Sequence, residues 1–216
     1  MIRVKICGIT NLDDALAAAT AGADALGFNF WPQSPRHIDP RRAAEIITRL
    51  PPFVTPVGVF VNLHPSLVQP LARMTGINTV QLHGDESPED AASLVANGLS
   101  VWKAFLVGRG FRPERLERYV GVAAFLLDSE VNGQRGGTGK TFDCRIARQA
   151  NRYGKILLAG GLTVDNVAEA IRLAEPYGVD VCTGVEKKPG MKDHARMRQF
   201  IQRARGAQTG AERGTR

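Results

Sequence analysis

A chain of 216 residues that is 44% hydrophobic and 23% charged has the composition of a folded domain with one large core, which excludes a largely disordered protein. No apolar run approaches the ~20 residues that cross a bilayer, and Met1 leads straight into strand-like sequence without a basic and apolar signal, so no membrane association and a cytoplasmic location are expected. The formal charge of +7 comes from 28 basic residues spread along the chain and rarely interleaved with aromatics, which favours a small anionic ligand over nucleic acid.

Residues 2–6 alternate apolar with basic and read as a first strand that ends at Cys7-Gly8. Asn11 then caps an alanine-rich helix over 12–21, with Asp13 and Asp14 in its first turn and Gly22 as its stop. Residues 25–30 are apolar on both faces, as a buried parallel strand is. The loop 31–37 holds Pro32 and Pro35, and Asp39-Pro40 opens a helix to residue 50. Strands are expected at 55–61, 78–82, 99–106, 122–127, 155–159 and 179–183. Helical segments alternate with them, opening at Pro65, Asp85, Pro113, Asp143, Thr163 and Lys192. Such regular alternation, with no break in composition, predicts a single (β/α)8 TIM barrel over residues 1–205, with an open doubly wound sheet as the structural alternative. Residues 206–216, rich in Gly, Gln, Thr and Arg, read as a disordered tail.

A barrel gathers the C-terminal ends of its strands at one rim, which makes Cys7, Arg36, Gln81, His83 and Asp128 neighbours of the loops after strands six to eight. Three of those loops are rich in glycine: Gly136-Gly137-Thr138-Gly139, Gly160-Gly161 and Thr183-Gly184. Backbone N–H groups bared by glycine, together with helix N-termini, suit a phosphate. The spacing of a nucleotide P-loop is missing around Lys140. His37, His64, His83 and His194 are dispersed and lack the spacing of metal ligands, so no metal is expected. Three scattered cysteines, Cys7, Cys144 and Cys182, suit reduced thiols.

Cys7 and Asp128 stand at the ends of strands one and six, where two groups can work on two ends of one small substrate. A carboxyl against an apolar strand can be tuned up and a thiol near positive charge tuned down, as acid-base catalysis requires. Plainer readings stand beside these: a small core thiol for Cys7, a helix cap for Asp128, a structural imidazole for His83. Arg36 suits a bidentate grip on a carboxylate or a solvated loop, and Asp180 a substrate contact or a structural role.

In order along the chain, Lys5-Ile6-Cys7-Gly8, Ser34-Pro35-Arg36, Gln81-Leu82-His83-Gly84, the loop at 136–139, Gly160-Gly161-Leu162, Gly184-Val185-Glu186 and Pro189-Gly190-Met191-Lys192-Asp193 resemble the phosphoribosylanthranilate isomerase family of tryptophan biosynthesis. The resemblance implies a cofactor-free Amadori rearrangement of a phosphorylated small molecule. Within it Asp128 corresponds to the general acid, Cys7 to the general base and Arg36 to the clamp on the anthranilate carboxylate. The resemblance also implies Asp180 as a substrate contact and Gly160, Gly161, Thr183 and Gly184 as the phosphate seat, to which the rim placement adds Gln81 and His83 as candidate substrate contacts and Gly137 and Gly139 as candidate phosphate contacts. Cys182 stands where the family commonly has serine. Glu186, Lys187 and Lys188 read as a solvated turn, and a monomer is favoured over an oligomer.

Overall fold

A computed structural model describes residues 1–108, 110–131, 134–135 and 144–209. Eight parallel strands form a closed barrel: β1 (Arg3–Cys7), β2 (Ala25–Asn29), β3 (Thr55–Phe60), β4 (Thr79–Leu82), β5 (Ser100–Val107), β6 (Ala124–Val131), β8 (Ile156–Leu158) and β9 (Gly178–Val181). Round the ring they run β5-β4-β3-β2-β1-β9-β8-β6, and β5 pairs with β6 to close it. The short β7 (Gln134–Arg135) pairs antiparallel with the end of β6.

Helices α1 (Leu12–Ala21), α2 (Pro40–Ile47), α3 (Pro65–Thr75), α4 (Pro88–Ala96), α5 (Cys144–Ala150), α6 (Val167–Ala174) and α7 (His194–Thr209) surround the strands. Their ends follow local chemistry. Asn11 accepts the Asp14 N–H at 2.9 Å to start α1, and Ser87 with Asp90 forms a reciprocal capping box on α4. The main core, including Phe28, Leu94, Met197 and Phe200, lies between barrel and helices, while Ala104, Ala124, Leu126, Leu157 and Ala159 fill the lumen with Trp102.

Several boundaries differ from the sequence reading. Residues 113–118 form a 3-10 segment instead of an α-helix. The helix expected to open at Thr163 starts at Val167, because Asn166 turns back to accept the Thr163 N–H at 2.8 Å. The last helix passes the expected end at 205 and runs to Thr209, with Ala207 buried on its inner face, so the expected tail begins inside a helix.

Candidate active site

A cavity of about 340 Å³ opens at the C-terminal ends of the strands, walled by Cys7, Arg36, His83, Asp128, Asp180 and the loops after β8 and β9. Cys7 ends β1 and is half-buried. Lys5 lies two residues earlier on the same face of the strand, and its ammonium meets Asp180 on β9 at 2.9 Å, both groups buried. Burial works against the Lys5 charge, yet the Asp180 carboxylate and the neighbouring Cys7 outweigh it and raise the lysine above its ordinary range. For Cys7 the balance differs from expectation. Burial raises the thiol and Asp180 adds to it, while Lys5 and Lys192 pull it down without making up the difference. The predicted lowering is therefore corrected: an ammonium already shared with a carboxylate returns less to a thiolate than burial removes.

Asp128 extends from β6, and its Oδ2 lies 3.2 Å from His83 Nε2. Its Oδ1 is buried without a partner beside Gly160. Gly160 has φ +77°, and a Cβ there would run into Ser129 and Asp128 Oδ1, so this wall requires glycine. Gln81 was expected to touch substrate. It is instead fully buried, and its Nε2 sits 2.7 Å from His83 Nδ1, fixing the imidazole that faces Asp128.

Arg36 enters from the loop after β2, where Ser34 Oγ accepts the Arg36 N–H at 3.1 Å. Its Nε and Nη2 donate to the Glu186 carboxylate at 3.0 and 2.8 Å. Glu186 is buried rather than part of a solvated turn, which corrects the sequence reading; Lys187 and Lys188 are exposed. A Pro189-Gly190 turn joins β10 (Glu186–Lys188) to β11 (Met191–Lys192) and sets Glu186 opposite Lys192, whose ammonium reaches the carboxylate at 3.0 Å. Burial pushes the Glu186 carboxyl up, but the Arg36 and Lys192 contacts outweigh it and hold it below the ordinary range. With the side edge of the guanidinium occupied, its Nη1/Nη2 end is the edge left for a second carboxylate. The sequence signal for Glu186 is a carboxylate and a lysine flanking a Pro-Gly turn.

Lys192 also donates to the Cys7 carbonyl at 2.5 Å and lies 3.7 Å from Cys182 Sγ. Burial pushes the Cys182 thiol up to about 12. Gly160, Gly161 and Thr183 line the cavity, whereas Gly184 sits behind it against the Leu162 carbonyl. Gly137 and Gly139 lie outside the described residues. Among the described residues no group of three or more His, Cys, Asp or Glu could hold a metal, and no helix is long and apolar enough to cross a membrane.

A family profile described as N-(5'-phosphoribosyl)anthranilate (PRA) isomerase matches residues 4–203. The N-(5'-phosphoribosyl)anthranilate isomerase of Geobacter sulfurreducens is 52% identical over 206 residues, covering 95% of this chain and all of that protein. The crystal structure of phosphoribosyl anthranilate isomerase from Thermotoga maritima superposes with a TM-score of 0.89 at 43% identity, covering 95% of this chain and 100% of that one. A crystal structure of phosphoribosyl anthranilate isomerase in complex with reduced 1-(o-carboxyphenylamino)-1-deoxyribulose 5-phosphate superposes with a TM-score of 0.86 at 41% identity, covering 95% and 100% of the two chains. With fold and nearly the whole length in agreement, the chain belongs to the N-(5'-phosphoribosyl)anthranilate isomerase family.

Proposed function

We propose that this chain catalyses the Amadori rearrangement of N-(5'-phosphoribosyl)anthranilate to 1-(2-carboxyphenylamino)-1-deoxyribulose 5-phosphate in tryptophan biosynthesis, with Asp128 as general acid and Cys7 as general base. The observation that carries the assignment is that both groups wall one cavity from strands three places apart round the ring, β1 and β6. Bare glycine backbone at 160–161 offers a phosphate seat, and Arg36 offers a carboxylate clamp. Protonation of the ribose ring oxygen by Asp128 opens the ring to a Schiff base. Cys7, as thiolate, then takes the proton from C2 to give an enolamine, which tautomerises to the ketone. Each such group is worth about 10²- to 10⁴-fold in rate. The pairing of Asp180 with Lys5 supports a role in setting the charge around Cys7 as much as in touching substrate hydroxyls.

The test follows the loss of anthranilate-type fluorescence as the protein meets substrate generated in situ. Turnover by the wild type, reduced by ~10² or more in both Cys7→Ser and Asp128→Asn, is the expected result. A folded wild type without turnover overturns the assignment. The working state is a cytoplasmic monomer, which sedimentation of the purified chain checks.

A further inference from the structure

A carboxyl in water holds its proton only below about pH 4, whereas an imidazole holds one to near neutrality. A carboxyl that hands over protons at neutral pH gains from an imidazole in contact with it. Asp128 has such a contact, 3.2 Å from His83 Nε2, and the far nitrogen of that imidazole meets the buried Gln81 amide at 2.7 Å. The His83 backbone N–H is itself tied to the Phe60 carbonyl at 2.8 Å, which holds the residue at the rim.

We propose that His83, held by Gln81, reloads Asp128: it supplies the proton that Asp128 passes to the ring oxygen and takes its own replacement from water. This rests on the reading of Asp128 as the general acid. His83 is placed for both tasks. It lines the main cavity and also a second one of about 190 Å³ beside Lys103, Arg115 and Tyr119, so it faces Asp128 on one side and a separate opening on the other. The His83 side chain is 22% exposed against 13% for Asp128.

The Gln81 amide fits both stages of the cycle. With its Nε2 donating to Nδ1, the imidazole is neutral and its Nε2–H donates to an ionised Asp128, which is the spent state. In that orientation Gln81 Oε1 is buried with no partner. Turned over by half a turn, Oε1 would accept an Nδ1–H. The imidazole then either carries both protons or accepts from a protonated Asp128, and these are the loaded states. Protons balance over a turnover, because the one gained by the ring oxygen matches the one that leaves C2 through Cys7 to solvent.

The charged groups around His83 are Asp128 on β6, Lys103 on β5, Asp85 and Glu86 after β4, and Arg115 on the 3-10 segment. The Lys103 ammonium is taken up by Glu86 Oε2 at 3.0 Å and the Gly84 carbonyl at 2.8 Å. Round the main cavity, Asp128 also shares its surroundings with Arg36, Asp180 and Cys7. Among the described residues, Asp128 is the titratable group in hydrogen-bond contact with the imidazole.

The experiment measures kcat and KM from about pH 5.5 to 9 for the wild type, His83→Gln and Asp128→Asn, with His83→Ala assayed in rising imidazole. His83→Gln is expected to lose about 10²-fold in kcat at pH 8, and under about tenfold near pH 5.5, where solvent can load the carboxyl directly. KM stays unchanged, and imidazole restores His83→Ala. A loss of equal size at every pH, or no rescue by imidazole, overturns the relay. If Asp128→Asn keeps wild-type kcat, the general-acid reading itself fails. If Asp128→Asn is inactive while His83→Gln follows the wild-type profile, only the relay fails.

Discussion

Replacing Glu186 by glutamine tests how the guanidinium of Arg36 and the ammonium of Lys192 are held. The carboxylate lies 2.8 Å from Arg36 Nη2 and 3.0 Å from Lys192 Nζ, with the lysine side chain 0% and the glutamate side chain 5% exposed. At 3.0 Å and an effective dielectric of about 20, one unit pair amounts to about 5 kcal/mol of attraction before desolvation is counted. Removing one member of a buried pair costs about 3–5 kcal/mol, because the remaining charge is stranded. In a chain of this length that corresponds to a fall in Tm of about 6–20 °C. The loss has a pH signature. The Glu186 carboxyl is held below its ordinary range, so its contribution is complete above the unfolded-state value and is lost as pH falls through the folded one. Wild type and variant should therefore converge in acid. Releasing Arg36 adds about 0.5–1.5 kcal/mol of side-chain ordering to substrate binding, which raises KM about 2- to 10-fold with little change in kcat. Calorimetry from pH 4 to 8 with steady-state kinetics reads both effects. A Tm within 2 °C of wild type at neutral pH together with an unchanged KM would refute the reasoning.

Two further predictions concern Cys7 and the wall behind Asp128. Because burial and Asp180 raise the Cys7 thiol, its alkylation by iodoacetamide in a Cys144→Ser background should keep climbing about tenfold per pH unit beyond pH 8.5, the ordinary thiol value. Asp180→Asn should bring that climb to lower pH. Raised thiols also make folding stability fall as pH rises above the ordinary thiol range, since the unfolded chain ionises first; urea midpoints at pH 7 and 10 check the sign. Gly160→Ala should cost clearly more than Gly76→Ala. The two share φ near +75°, but a Cβ at 76 meets nothing within 4 Å whereas one at 160 strikes Ser129 and Asp128. Backbone strain alone accounts for about 1–2 kcal/mol at either site, and equal urea midpoints would remove the clash from the argument.

The barrel was legible because most of its strands are apolar runs that alternate with helices whose caps act locally: Asn11 and Gly22 do in the structure what their chemistry predicts, while the helix expected to open at Asp85 starts at Pro88 behind the Ser87 cap. That Cys7 and Asp128 face one cavity was legible for a related reason, since a strand places its own side chains, although β6 runs on to Val131 where the sequence reading ended it at residue 127. What failed depends on distant partners. Glu186 reads as one charge among exposed lysines until the turn after it folds Lys192 back and the loop after β2 delivers Arg36. Gln81 and His83 fall two residues apart on the same face at the end of β4, and nothing local says which of the two reaches the cavity. The direction of the Cys7 shift is a balance of burial and the Asp180 carboxylate against the Lys5 and Lys192 ammonium groups, and Asp180 and Lys192 come from the far end of the chain.

That meeting of the two ends bears on how the protein is made. β2 follows β1 closely in the chain, but the other edge of β1 needs β9, which starts at Gly178, and the Cys7 carbonyl needs Lys192. Without β9 the first strand keeps an unpaired edge, the feature that invites pairing with another chain. Arg3 and Lys5 are spaced along that strand as charges of the kind that discourage such contacts. The lysine that stands beside the thiol in the closed ring is thus also a charge of the kind that keeps an open β1 edge from pairing elsewhere before β9 is in place.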